Sequence, residues 1–190
     1  MAAGRTELRL EYPVTEELPA SGAAYQQEIG AFYRESHERL AGLLAGGASV
    51  GLLAEGDPFF YGSFMHMWRR LVSLFPVEVV PGVTGMSGCW TRARTPITWG
   101  DDMLAVLPGT LGESQLVERL RLTDAAVIMK VGRNLTKVRR AVEAAGMLSR
   151  AIYVERGTMQ DERILPLGEC TDQRGAYFGM VLIPGQGRQI

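Results

Sequence analysis

Between Ala23 and Leu44 the apolar residues Ile29, Phe32, Tyr33, Leu40, Leu43 and Leu44 recur at helical spacing, and "AGGAS" after them is a glycine stop. This spacing predicts one helix. Residues Leu8 to Tyr12 alternate apolar and polar like a short strand, and "YPVTEELPASG" then reads as a loop. The run "SVGLLAEG", Ser49 to Gly56, is short, apolar and bounded by turn residues, as in a strand buried on both faces of a parallel sheet. "VEVVPG", Val77 to Gly82, reads the same way, and "TGMSGCWTRA" after it has the Thr cap and small residues of a helix start. Four more strands are predicted within "MLAVLPG" (Met103 to Gly109), "AAVIMKVG" (Ala125 to Gly132), "RAIYVERG" (Arg150 to Gly157) and "GMVLIPG" (Gly179 to Gly185). "ESQLVERLRL" and "NLTKVRRAVEAAGM" read as helices between them, so the fold class is α/β. Pro96 and Gly100 break the pattern in "TRARTPITWGDD", which divides the chain into an N-terminal α/β domain over 1–98 and a C-terminal one over 99–190.

Composition narrows the class. The 190 residues are 46% hydrophobic, enough for a packed core, and 20 Lys+Arg against 21 Asp+Glu leave no basic footprint for a nucleic acid. Cys89 and Cys170 stand far apart without metal-ligand spacing, so neither a disulfide framework nor a metal site is expected and a reducing, cytoplasmic setting fits. No apolar run is long enough for a leader or a membrane span before Gly, Pro or a charge interrupts it.

In an open parallel sheet ligands bind beyond the carboxyl ends of the strands, and three predicted strands end there in "EGDP", "PGVTG" and the Pro-Gly at Pro108. Glycines let a ligand approach the backbone, and the Asp57 carboxylate accepts hydrogen bonds. Turn preferences give Asp57-Pro58 a second reading, as the cap of a helix beginning near Ser63. His37 and His66 have no carboxylate or Cys partner at a telling spacing and receive no role. Met65, Met67, Met86 and Met103, with Cys89 and Trp90, read as packing residues.

Taken together, "EGDPFFYGSFMHM" and "VEVVPGVTGMSGCWTRARTPIT" resemble the tetrapyrrole methylase family of S-adenosylmethionine-dependent enzymes. Within it, "EGDPFFYGSF", "VIMKVGRN" and "AYFGMVLIPG" look most like the precorrin-2 C20-methyltransferases of cobalamin biosynthesis. The resemblance implies two α/β domains with a cofactor cleft between them and a homodimer. It places the methyl donor on Glu55, Gly56, Asp57 and Phe60, on Thr84 and Gly85, and on Lys130, Gly157 and Pro184. Phe59, Phe60 and Tyr61 form an aromatic shelf suited to an adenine or a sulfonium. Members of the family normally open with a strand and a GxGPGDP loop; nothing similar precedes "LRLEYP", so the chain looks shortened.

The implied reaction is methyl transfer to a meso carbon of the macrocycle, in which the cofactor carries the difficult chemistry and no protein nucleophile or named base is needed. Such a substrate bears many carboxylates, which guanidinium groups pair with bidentately. Arg92 and Arg94 are the preferred pair, with Tyr61 beside them, although Arg69, Arg70 and Arg133 also lie near the motifs and an arginine is by default solvated. Other readings stay open: a different ring position or a cobalt-containing substrate, a non-catalytic donor-binding module, or a nucleotide binder.

Overall fold

The computed structural model describes residues 4–13 and 22–187, and most of the expected loop over 12–22 lies outside them. The chain divides into two compact units between Gly82 and Val83. The boundary expected at 98/99 falls inside the second unit, because the segment before it packs on that unit's sheet through Cys89 and Ile97.

The first unit is built on two helices, α1 (Ala23–Ala45) and α2 (Phe64–Leu71). Tyr33 and Leu40 of α1 bury against Met67 and Leu71 of α2, with Leu8, Leu10, Leu52 and Val77 packed around them. The strands expected at 8–12, 49–56 and 77–82 do not form; these segments run without ladder partners. The reason is physical: an apolar run reports what a side chain needs to bury, whereas a strand also needs a neighbouring backbone. Leu53 and Val80 accordingly stand 93% and 72% exposed.

The second unit begins with α3 (Gly85–Arg92), whose N-cap Thr84 accepts from the Ser87 amide, as the helix-start pattern predicts. Five strands follow: β1 (Leu104–Pro108), β2 (Ala125–Met129), β3 (Ile152–Glu155), β4 (Arg163–Pro166) and β5 (Gly179–Ile183). Helices α4 (Glu113–Arg121) and α5 (Leu135–Ala144) connect them. The strand order is β1-β2-β5-β3-β4. Only β1 and β2 pair in parallel; β5 runs antiparallel to both β2 and β3, and β4 antiparallel to β3. The sheet is therefore mixed, not the parallel sheet expected from the apolar runs, because a central strand covered on both faces is apolar throughout whichever way its neighbours run.

Both faces are covered. Ala126 and Ile128 of β2 face the helices through Leu116, Leu120, Val138 and Val142. Val127 points to the other side, with Cys89, Val154 and Leu182. The alternation follows from the two-residue period of a strand. Because β1, β2 and β3 all run in one direction, their carboxyl ends lie along a single edge of the sheet.

Candidate functional site

In the first unit, Asp57 organises the motif loop. Its Oδ1 accepts from the Phe59 amide at 2.9 Å and its Oδ2 from the Gly82 amide at 3.1 Å. The side chain therefore does not cap α2: the N-cap there is Ser63, which makes no side-chain cap bond. Instead it ties the loop after residue 55 to the Pro-Gly loop after residue 80, the two segments that the motif pattern singles out. Gly56 has φ of 73°, and its carbonyl lies so close to Gly82 that a Cβ at 82 would sit 2.9 Å from the Gly56 carbonyl carbon. Only glycine permits that approach.

The aromatic shelf is divided. Phe59 leans on Trp68 of α2, ring centres 5.3 Å apart and nearly perpendicular, while Phe60 and Tyr61 pair edge-on at 5.0 Å. Tyr61 has φ of 55°, which turns the chain so that its ring stays exposed beside half-buried Phe60. Glu55 is exposed in the same loop. His66 stacks on Tyr33 at 4.5 Å, and burial, then Arg70 and Arg69, hold its pKa below the ordinary histidine value. Arg70 donates to the His66 carbonyl and lies over the Tyr33 ring, so it serves the helix packing.

In the second unit, Lys130 and Gly157 follow the carboxyl ends of β2 and β3. Lys130 follows β2 with φ of 56°, and its carbonyl and that of Met129 both lie 3.1 Å from where a Cβ on Gly109, just past β1, would be. Gly157 follows β3, flanked by Arg156 and Thr158, whose φ values are 50° and 71°. A Cβ on Gly157 would fall 2.6 Å from the Cys89 sulfur, which explains the glycine through packing against α3. Burial raises the Cys89 thiol pKa to about 11. At the head of α3, Thr84 Oγ1 shares a 2.8 Å hydrogen bond with Ser87 Oγ, and nothing lies within 4 Å of a Cβ built on Gly85. That open backbone is what a ligand approaching the helix start requires.

Two of the expected residues have other partners in the structure. Pro184 follows β5, whose antiparallel run puts it at the opposite end of the sheet from Lys130 and Gly157, and its carbonyl accepts from Arg150. Arg92 is not available as a free cation: its Nε lies 2.8 Å from both oxygens of Glu162, and Nη2 closes the pair. Glu162 holds the Arg92 pKa up, and Arg92, followed by the Thr158 amide, holds that of Glu162 down. Arg94 remains exposed, with φ of 53°. Residues that sequence reasoning missed are Arg156, Thr158 and Glu162; the dense polar run "ERGTMQDER" between two strands is the signal that marks them. Among the described residues, no group of His, Cys, Asp or Glu is arranged to hold a metal. No helix there is long and apolar enough to cross a membrane.

Comparison with known proteins is consistent across the chain. The family profile described as Tetrapyrrole (Corrin/Porphyrin) Methylases matches residues 4–170. A precorrin-2 C(20)-methyltransferase of Sinorhizobium is 54% identical over 94% of this chain and 73% of its own length. A cobalamin biosynthesis protein CobIJ of Mycobacterium tuberculosis is 42% identical over 98% of this chain, which spans only 37% of that longer relative. Among solved structures, a uroporphyrin-III C-methyltransferase of Thermus thermophilus, complexed with S-adenyl homocysteine, superposes with a TM-score of 0.59. It is 24% identical, with 80% of this chain and 73% of that one covered.

Proposed function

Since the chain belongs to the tetrapyrrole methylase family, we propose that it is an S-adenosylmethionine-dependent methyltransferase that methylates precorrin-2 at C20 in cobalamin biosynthesis. The observation that carries the reading is the 54% identity to a precorrin-2 C(20)-methyltransferase over 94% of this chain, both motif loops included. The residues present fit the donor: Gly85 leaves its helix start open, and Gly56 holds a left-handed turn beside Asp57. Donor binding is assigned to Glu55, Gly56, Asp57 and Phe60 in the first unit and to Thr84, Gly85, Lys130 and Gly157 in the second. Pro184, at the other end of its sheet, is left out.

When bound, S-adenosylmethionine supplies an already electrophilic methyl group, so the protein needs no nucleophile of its own. The chain's residues bind and orient. Asp57 contributes by fixing the loop that carries Gly56, since both of its carboxylate oxygens are engaged by backbone amides. Phe60 and Tyr61 supply apolar faces that exclude water, and Arg94 supplies an exposed guanidinium for a substrate carboxylate. Arg92 joins that role only if it leaves Glu162. A cytoplasmic homodimer completes the proposal, the setting resting on two cysteines far apart without disulfide or metal-ligand spacing and the dimer on the family resemblance.

The test is to incubate the protein with precorrin-2 and methyl-labelled S-adenosylmethionine and to follow product mass and label position. One added methyl, at C20, is expected. A folded protein that binds the donor yet yields no methylated product, or labels another carbon, would overturn the assignment.

A further inference from the structure

Five described residues other than glycine hold a left-handed φ: Tyr61, Arg94, Lys130, Arg156 and Thr158. Such backbone persists only where its surroundings over-determine it. Two of the five, Arg156 and Thr158, flank Gly157, and Thr158 is held by a side chain outside the proposed donor set. Glu162 Oε2 accepts from the Thr158 amide at 3.0 Å. The same carboxylate is clasped by Arg92, the last residue of α3. Its side chain is only 18% exposed although it is charged and sits at a turn.

The two sides it joins are packed closely. A Cβ on Gly157 would meet the Cys89 sulfur at 2.6 Å, and one on Gly88 would meet the Thr158 methyl at 3.0 Å, so the turn rests on the middle of α3. The rest of the turn is secured from its other flank: the Arg156 amide donates to the Phe178 carbonyl at 2.8 Å, and the Arg156 guanidinium pairs with Glu155 and Asp161. With Glu162 removed, the Thr158 amide and the end of α3 would each lose a tether, while the sheet beneath them stays paired. α3 stays packed on the sheet through Met86, Cys89 and Trp90, so the effect reaching its head, which carries Thr84 and Gly85, is a small tilt about that packing.

We propose that Glu162 is a positioning residue for the donor site: by joining the strained Arg156–Thr158 turn to the end of α3, it fixes Gly157 relative to Thr84 and Gly85. The inference rests on the donor assignment made above. Glu162→Gln keeps an acceptor for the Thr158 amide and for Arg92 Nε but turns an NH2 toward Arg92 Nη2, so it should preserve most of the arrangement and lose less than alanine does.

The experiment compares the full chain with Glu162→Ala and Glu162→Gln by calorimetric titration with S-adenosylmethionine, by steady-state kinetics and by amide hydrogen exchange without donor. Glu162→Ala should raise the donor Kd about tenfold, the scale of one lost hydrogen bond to a charged acceptor, while Glu162→Gln stays within about threefold. The KM for the tetrapyrrole should not rise by more than about twofold, since Glu162→Ala disturbs donor geometry and on the substrate side only releases Arg92 toward a carboxylate. Exchange at the Thr158 amide should quicken in Glu162→Ala alone. Should that variant not fold, Glu162→Asp, which withdraws the acceptor by one methylene, carries the same expectation. An unchanged donor Kd in Glu162→Ala, even with a lower Tm, would overturn the proposal by showing a merely structural role, as would equal losses in the Ala and Gln variants. Failure of the unsubstituted chain to bind the donor would instead overturn the functional reading, leaving the exchange at Thr158 to decide the tether.

Discussion

The Asp57 carboxylate accepts from the backbone amide of Gly82, 25 residues further along the chain, at 3.1 Å, while its other oxygen holds the Phe59 amide. One side chain thus closes the motif loop on itself and against the Pro-Gly loop. Asp57→Ala should remove both bonds and lower stability by about 1–2 kcal/mol, less than for buried groups because water can replace the acceptor. Asp57→Asn keeps one acceptor but turns an NH2 toward the other amide, so its loss should lie between. Urea denaturation of the three proteins checks the order, and equal stabilities would show that the loop closes without the carboxylate.

Gly82 is the second half of that closure. A Cβ there would overlap the Gly56 carbonyl and lie 3.3 Å from the Asp57 Cα, and backbone cannot yield as a side-chain tip does. Gly82→Ala should therefore spread the two loops, costing roughly 1–3 kcal/mol, as overpacked sites do. Faster hydrogen exchange at the Phe59 and Gly82 amides is the specific sign. Protection like that of the unsubstituted chain would mean that the loops have room the structure does not show.

How much of this was legible beforehand depends on which partner a residue needs. Strand β2 is readable because "AAVIM" is apolar throughout and the chain supplies neighbours on both sides. "SVGLLAEG" has a similar pattern, yet no neighbouring strand lies beside it among the described residues, and it remains unpaired. Strand β4 escapes notice for the opposite reason: at the sheet edge "RILP" needs only two partly covered apolar residues, Ile164 and Leu165. In the candidate site, Thr84 as a helix cap and the glycines at close approaches follow from local chemistry. The pairing of Arg92 with Glu162, 70 residues away, does not, because the sign of a charge says nothing of which opposite charge the fold brings to it.

Gly157 and Cys89 offer a test of coupling between the turn and α3. A methyl at 157 would meet the Cys89 sulfur at 2.6 Å and a Val154 methyl at 3.0 Å, so Gly157→Ala should destabilise by roughly 1–3 kcal/mol. Cys89→Ala removes the nearer obstacle. In the double variant part of the cost should return, giving a coupling of about 1 kcal/mol by a double-mutant cycle. Strict additivity of the two unfolding free energies would show that the helix and the turn shift independently.

The buried Cys89 thiol also predicts how stability depends on alkaline pH. Burial is the largest cause of its raised pKa, with a smaller repulsion from Glu162, and together they outweigh the opposing hydrogen bond from the Gly157 backbone. In the unfolded chain the thiol ionises near its ordinary value of 9.0, whereas in the folded protein it holds its proton until about 11. Between these values the folded state binds more protons than the unfolded one, so stability must fall as pH rises. The contribution is complete below pH 9 and is lost progressively up to about 11. Cys89→Ala should flatten this part of the curve, because alanine has no proton to lose, even though the variant starts from lower stability through the cavity it leaves. Denaturant midpoints for both proteins across that range measure the difference in slope. Parallel curves would mean that the thiolate is accommodated in the fold, and iodoacetamide should then label Cys89 in the native protein at mildly alkaline pH, where a thiol held protonated stays unreactive.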